Sequence, residues 1–157
     1  MICGPKLRDG YVSAERSMHE ATADPVDGAP VNANETLLRF AKPQQWDDQG
    51  MPTPASLTLK AGEDGLSVYL EDLLARNNIG PAVVIANRSG YGVYGLRASD
   101  VTSGDCAVLH NPLHNDTPVE IGFAHALIRP PADKPTWKLL RDSLLKSPLV
   151  RIAPTQR

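Results

Sequence analysis

The chain has little cysteine, no long apolar run and no block of a single charge, and each shortage removes a class of protein. Its two cysteines, Cys3 and Cys106, are too few for a disulfide-built scaffold or a zinc ribbon. A reduced compartment, the cytoplasm, is the simpler expectation. No stretch approaches the about 18 consecutive apolar residues of a membrane span, and residues 1–9 lack the uninterrupted apolar core of a signal peptide. A soluble chain without a membrane partner is expected. Sixteen basic residues face 18 acidic ones, a net charge of -2 with no run of lysine or arginine. Surface charge therefore does not indicate nucleic acid as a partner, although a local basic patch would escape this count.

Familiar catalytic signatures are also missing. There is no phosphate-cradling Gly-x-x-x-x-Gly-Lys segment, no nucleophile elbow, no Cys-x-x-Cys and no His-Glu-x-x-His. Gly90-Tyr-Gly92-Val-Tyr-Gly95 has Gly-x-Gly-x-x-Gly spacing, but it follows a loop and opens no helix, which removes the context of a dinucleotide site. Cys106 has only Asp105 as a charged neighbour in sequence, and an acidic neighbour raises a thiol pKa instead of activating it. No cofactor and no resident metal is expected.

What is present suits one domain. Of 157 residues, the first 34 mix Gly, Pro, Ala, Asp, Glu and Asn with scattered apolar residues, too few to offset the entropy of ordering. They read as a flexible arm (1–34) ahead of a single domain (35–157), with ordering against a partner or a second copy as the alternative. Fourteen prolines and 12 glycines break the chain into short elements.

Thr36–Ala41 is short, apolar and stopped by Lys42-Pro43, which favours a strand. Trp46 sits in turn chemistry and caps the core edge. Ala55–Lys60 alternates with period two, a second strand. Leu66, Leu70, Leu73 and Leu74 share one face of a helix, which predicts a helix over 66–76 with Ser67 as N-cap. The β-branched run Ala82–Ala86 predicts a buried strand. Glycines 90, 92 and 95 suit a close backbone approach or a bulge. Cys106–Leu109 and Phe123–Ile128 read as strands. Asp133, Pro135 and the shared face of Trp137, Leu140 and Leu144 predict a C-terminal helix, with a short extended stretch over 149–152. The order predicts an α+β domain: a mostly antiparallel sheet of about five or six strands with two helices packed on it.

Leu37-Leu-Arg39, Trp46-Asp-Asp with Pro52-Thr-Pro-Ala-Ser, Leu66-Ser67-Val68, Gly90-Tyr91, His110-Asn-Pro112 and Ala124-His125-Ala together resemble an uncharacterised bacterial family. Its members carry an arginine-bearing first strand, a Leu-Ser-Val segment and a His-x-Pro…Ala-His-Ala ending. The likeness spans residues 37–129, with Gly122-Phe123 where the family has Asn-Pro. It implies a place for conserved side chains and no activity.

Three of the four histidines fall between His110 and His125. If the flanking strands form a hairpin, His110 and His125 could reach one face and act as acid and base on a nucleotide or nucleic-acid phosphate, since imidazole titrates near neutral pH. The competing reading is a hydrogen-bonded core histidine that fixes the loop. Zinc held by His110, His114 and His125 with Asp116 or Glu120 is chemically sensible, but Pro112 rules out a helical His110–His114 pair. A second constellation, Arg39 with Ser67 and Glu120, is analogous to ADP-ribosyl-transferring enzymes. Arg39, His110 and His125 are thus the candidate catalytic residues. The favoured expectation is a small recognition or accessory module, in a bacterial defence or toxin-related setting, whose partner is another protein or a second copy of the chain.

Overall fold

A computed structural model describes residues 26–113 and 121–155. Among these residues six strands, β1 (Thr36–Ala41), β2 (Leu66–Leu70), β3 (Gly92–Arg97), β4 (Ala107–His110), β5 (His125–Arg129) and β6 (Leu149–Ile152), form one sheet in the order β4-β5-β2-β1-β3-β6. Every neighbouring pair is antiparallel. Helices α1 (Glu71–Arg76), α2 (Ala98–Thr102) and α3 (Lys134–Leu144) complete an α+β domain.

Alternation along the strands divides the apolar residues between two faces. Leu37, Val68, Tyr94, Val108 and Ile128 pack under Trp137 and Leu144 of α3. Leu38, Tyr69 and Val93 point the other way, against Leu74 of α1, Val84 and Ala124. The central strands are therefore covered on both sides, which makes them nearly continuous in apolar residues.

That double burial explains the main departure from expectation. The helix expected over 66–76 is a strand followed by a helix: β2 takes Leu66–Leu70 and α1 only Glu71–Arg76. Leu66 and Leu70 share a side at period two as well as at period 3.6. Ser67 is consequently no N-cap. The strand expected at 55–60 is instead a 3-10 turn, Pro54–Leu57, running into open chain. Ala82–Ala86 is likewise no strand. Pro81 starts a 3-10 turn through Ile85 in which only Val84 is fully buried.

Other expectations are met. Trp46 donates from Nε1 to the Ala41 carbonyl at 3.2 Å and stands edge-on to Tyr94. Part of the expected flexible arm over 1–34 is instead ordered: residues 28–31 lie along the outer edge of β4, where Val31 N donates to Val108 O (2.9 Å) and His110 N to Ala29 O (2.8 Å), and Val31 joins the core. Residues 1–25 are outside the described residues. Helix α3 begins as predicted, with the Asp133 carboxylate accepting from Thr136 N at 3.1 Å and from the Thr136 hydroxyl. Replacing Asp133 with alanine is expected to cost about 1 kcal/mol of stability, read from the urea midpoint. An unchanged midpoint would show that α3 is held by Trp137 and Leu144 alone.

Candidate functional site

The hairpin expected to unite the two histidines forms, but its register separates them. β4 and β5 pair with His110 opposite Ala126, one residue beyond His125. Residues opposite each other share a face and neighbours along a strand do not, so the imidazoles lie on opposite sides of the sheet. His125, 4% exposed, donates from Nδ1 to the Asn111 carbonyl at 2.8 Å and stands edge-on to Tyr69. It ties the end of β4 to the start of β5. His110 Nδ1 is buried with no hydrogen-bond partner among the described residues, and burial lowers its pKa. His114, Asp116 and Glu120 lie outside the described residues. Among those described, no group of three His, Cys, Asp or Glu is placed to hold a metal ion. The Cys106 thiol, pushed up to about 12 by burial, donates to the Arg129 carbonyl at 3.3 Å and stays protonated at neutral pH.

Arg39 stands in a different situation. β1 and β2 pair only at Leu37↔Leu70 and Leu38↔Tyr69. Beyond these, β1 continues to Ala41 on β3, while β2 reaches back to Leu66 on β5. The sheet thus opens as a fork between its two central strands. Arg39 fills the opening, with Nη1 donating to Ser67 O and Nε to Ser56 O, each at 2.8 Å. Ser67 therefore does meet Arg39, but through its main chain and not its hydroxyl.

The acceptors are themselves fixed. Buried Ser56 donates its hydroxyl to Thr53 O (2.8 Å), which leaves its Oγ to accept from the Tyr94 hydroxyl at 2.7 Å. Tyr94 is fully buried, and burial pushes its pKa up to about 12, so it remains a donor. Among the described residues no carboxylate comes within 4.0 Å of the Arg39 guanidinium. Burial lowers its pKa and Arg88 acts the same way, while Tyr94 and Glu63 oppose them.

A cavity of about 170 Å³ opens beside Arg39, lined also by Lys42, Gln45, Lys60, Glu63 and Tyr91. The Phe40 ring, which also lines the cavity, has the Arg39 guanidinium carbon 5.1 Å and the Arg88 one 4.3 Å from its centroid. Arg88 is tethered by a bond from Nη1 to Val84 O at 2.9 Å. The sequence reading named Arg39 and missed the rest. Lys42, the turn from Lys60 to Glu63 and the turn from Arg88 to Tyr91 are separate segments, and no spacing links them.

A larger cleft, about 720 Å³, opens at the other end of β1 between residues 32–36 and α1. Its acidic side chains are mostly satisfied from within: Asp72 pairs with Arg76 at 2.6 Å, and Glu71 takes two bonds from Arg151 at 2.8 and 3.0 Å. Glu35 Oε1 is buried without a hydrogen-bond partner among the described residues. Burial first, then Asp72, raises its pKa against the pull of Arg76. The cleft keeps a formal surplus of one negative charge, Glu35, Glu71 and Asp72 against Arg76 and Arg151, whereas the fork carries surplus positive charge.

No protein-family model, curated protein or solved structure matches the chain. Among the described residues, no helix is long and apolar enough to cross a membrane.

Proposed function

We propose that this chain is a recognition module that receives an anionic group of a partner protein in the fork between β1 and β2. One observation carries the reading: the half-buried Arg39 charge is held by two carbonyl oxygens, with no carboxylate in salt-bridge reach among the described residues. Carbonyls satisfy the N–H groups without cancelling the charge. Withdrawing a cation from water costs several kcal/mol, and a counter-ion entering the fork would recover part of that. Lys42 and Lys60 on the same cavity add to the attraction.

Size favours a single group over a whole metabolite. Small-molecule sites usually run to about 300–1,000 Å³. The fork cavity, about 170 Å³, suits one side-chain-sized anion presented by a larger partner. This agrees with the accessory role expected from the sequence, and it draws on neither histidine.

The test is an ¹⁵N NMR titration of the full chain with sodium sulfate, against sodium chloride at matched ionic strength so that general screening cancels. Saturable shifts are expected at the Arg39 Nε–H and at the amides of Phe40, Lys42 and Ser67. Identical responses to sulfate and chloride at those positions would remove the fork as a ligand site.

A further inference from the structure

Taking the fork as the ligand site, we propose that the group it takes is a dianion, the phosphoryl group of a phosphate monoester, in preference to a single carboxylate. The first argument is charge. Arg39, Lys42 and Lys60 line the cavity against one carboxylate, Glu63, which leaves two positive charges in surplus. A carboxylate side chain would balance one of them. A phosphate monoester carries about -1.5 to -2 at neutral pH and balances both. Arg88, against the Phe40 ring, adds a further positive charge that acts on Arg39.

The second argument is donor supply. A guanidinium has five N–H groups. Arg39 spends its Nε–H and one Nη1 hydrogen on the Ser56 and Ser67 carbonyls, so the three others are available for a ligand. Lys42 and Lys60, exposed residues that also line the cavity, each carry an ammonium group with three further donors. Gln45 and Thr58, which also border the cavity, already donate to Ala55 O and Pro54 O. Three cationic side chains lining one small volume match the three oxygens of a phosphoryl group better than the two coplanar oxygens of a carboxylate.

The third argument concerns the carboxylate already present. Glu63 accepts from the Lys60 main-chain N–H through Oε1 at 2.8 Å. It is held to the 60–63 turn and lies beyond salt-bridge distance of Arg39. Its charge acts on Arg39 only through space, so the Arg39 donors still lack a direct anionic partner among the described residues, and a ligand of higher charge density is the better occupant.

The experiment uses the full chain and three probes at constant ionic strength: a phosphoserine tripeptide with blocked ends, its aspartate counterpart, and sulfate. A phosphoserine monoester has a second pKa of about 6, so moving from pH 5.0 to 7.5 converts mostly monoanion to dianion. Among the described cavity-lining residues there is no histidine, the side chain whose ordinary pKa falls in this window. The phosphopeptide is expected to gain about tenfold in affinity across the window, set by its dianion fraction. Sulfate, a dianion throughout, should stay level. The aspartate peptide should bind about tenfold or more weakly than the phosphopeptide at pH 7.5.

Converting both exposed lysines, Lys42→Gln and Lys60→Gln, removes the surplus. The phosphopeptide's advantage over the aspartate peptide should vanish in that variant while the fold, checked by its melting curve, persists. Equal affinities for the two peptides, or a phosphopeptide affinity that ignores pH while sulfate still binds, would overturn the dianion inference and leave anion recognition standing. Failure of every probe to shift the fork resonances would bring down both.

Discussion

Replacing Gly92 with valine is expected to leave much of the chain unfolded at 25 °C, and even Gly92→Ala should cost about 3 kcal/mol or more. Gly92 opens β3 and pairs with Ala41 of β1. A Cβ there would run into the Trp46 ring and come within 2.8 Å of the Ile152 carbonyl. Neither neighbour can yield cheaply. Trp46 is pinned by its bond to Ala41 O and by its edge-on contact with Tyr94, and the Ile152 carbonyl belongs to the strand paired with β3. Moving the indole would also disturb Tyr94, whose hydroxyl orients Ser56, one of the two carbonyls that hold Arg39. Against a typical total stability of about 5–15 kcal/mol, a loss of this size is decisive. The check is the urea midpoint beside that of Gly80→Ala, a position where an added Cβ meets nothing within 4 Å and the change should stay within about 0.5 kcal/mol. Similar midpoints for the two variants would mean that the indole repacks at little cost.

The glycine pattern around residue 92 was legible in the sequence because glycine states its reason locally. The structure supplies both features that the spacing suggested. Gly92 and Gly95 accept close neighbours, Trp46 and Thr36, and the β3–β6 register shifts between Val93 and Tyr94. β1 and α3 were legible for a similar reason: Lys42-Pro43 ends the one, and Asp133 with Pro135 begins the other. Leu66–Arg76 was not, since apolar residues on both faces of β2 erase the difference between a strand period and a helix period. The run Ala82–Ala86 misled through composition alone, because β-branched residues also fit a 3-10 turn when only Val84 must be buried. The histidines were misplaced by one residue of register, which long-range pairing decides and local sequence does not. The site shows the same limit. Arg39 was named through the family resemblance and the analogy with ADP-ribosyl-transferring enzymes, but the parting of β1 from β2 after Leu38 and Tyr69 is a property of three strands together. The Ser67 that drew attention for its hydroxyl takes part through its carbonyl.

Arg39→Met is the variant that separates fold from function, with binding lost and stability nearly kept. Methionine retains much of the apolar stem that lines the fork, which alanine would not. Two terms then oppose each other. The Ser56 and Ser67 carbonyls lose their donors, worth about 1 kcal/mol each, while the cost of holding an unmatched cation out of water disappears. The melting temperature is therefore expected to stay within a few degrees of the parent, about 1 kcal/mol either way. Binding has no such compensation. A hydrogen bond from a charged donor contributes about 1.5–3 kcal/mol, so sulfate affinity at the fork should fall by about tenfold to more than a hundredfold. Arg39→Lys should lie between, keeping a charge but losing the planar fork that spans two carbonyls and a ligand at once. Calorimetry and the melting curve on the same preparations decide the matter. A folded Arg39→Met chain that binds sulfate as the parent does would place the anion site elsewhere, and a chain that melts about 10 °C lower would make Arg39 a strut between the parted strands, its charge incidental.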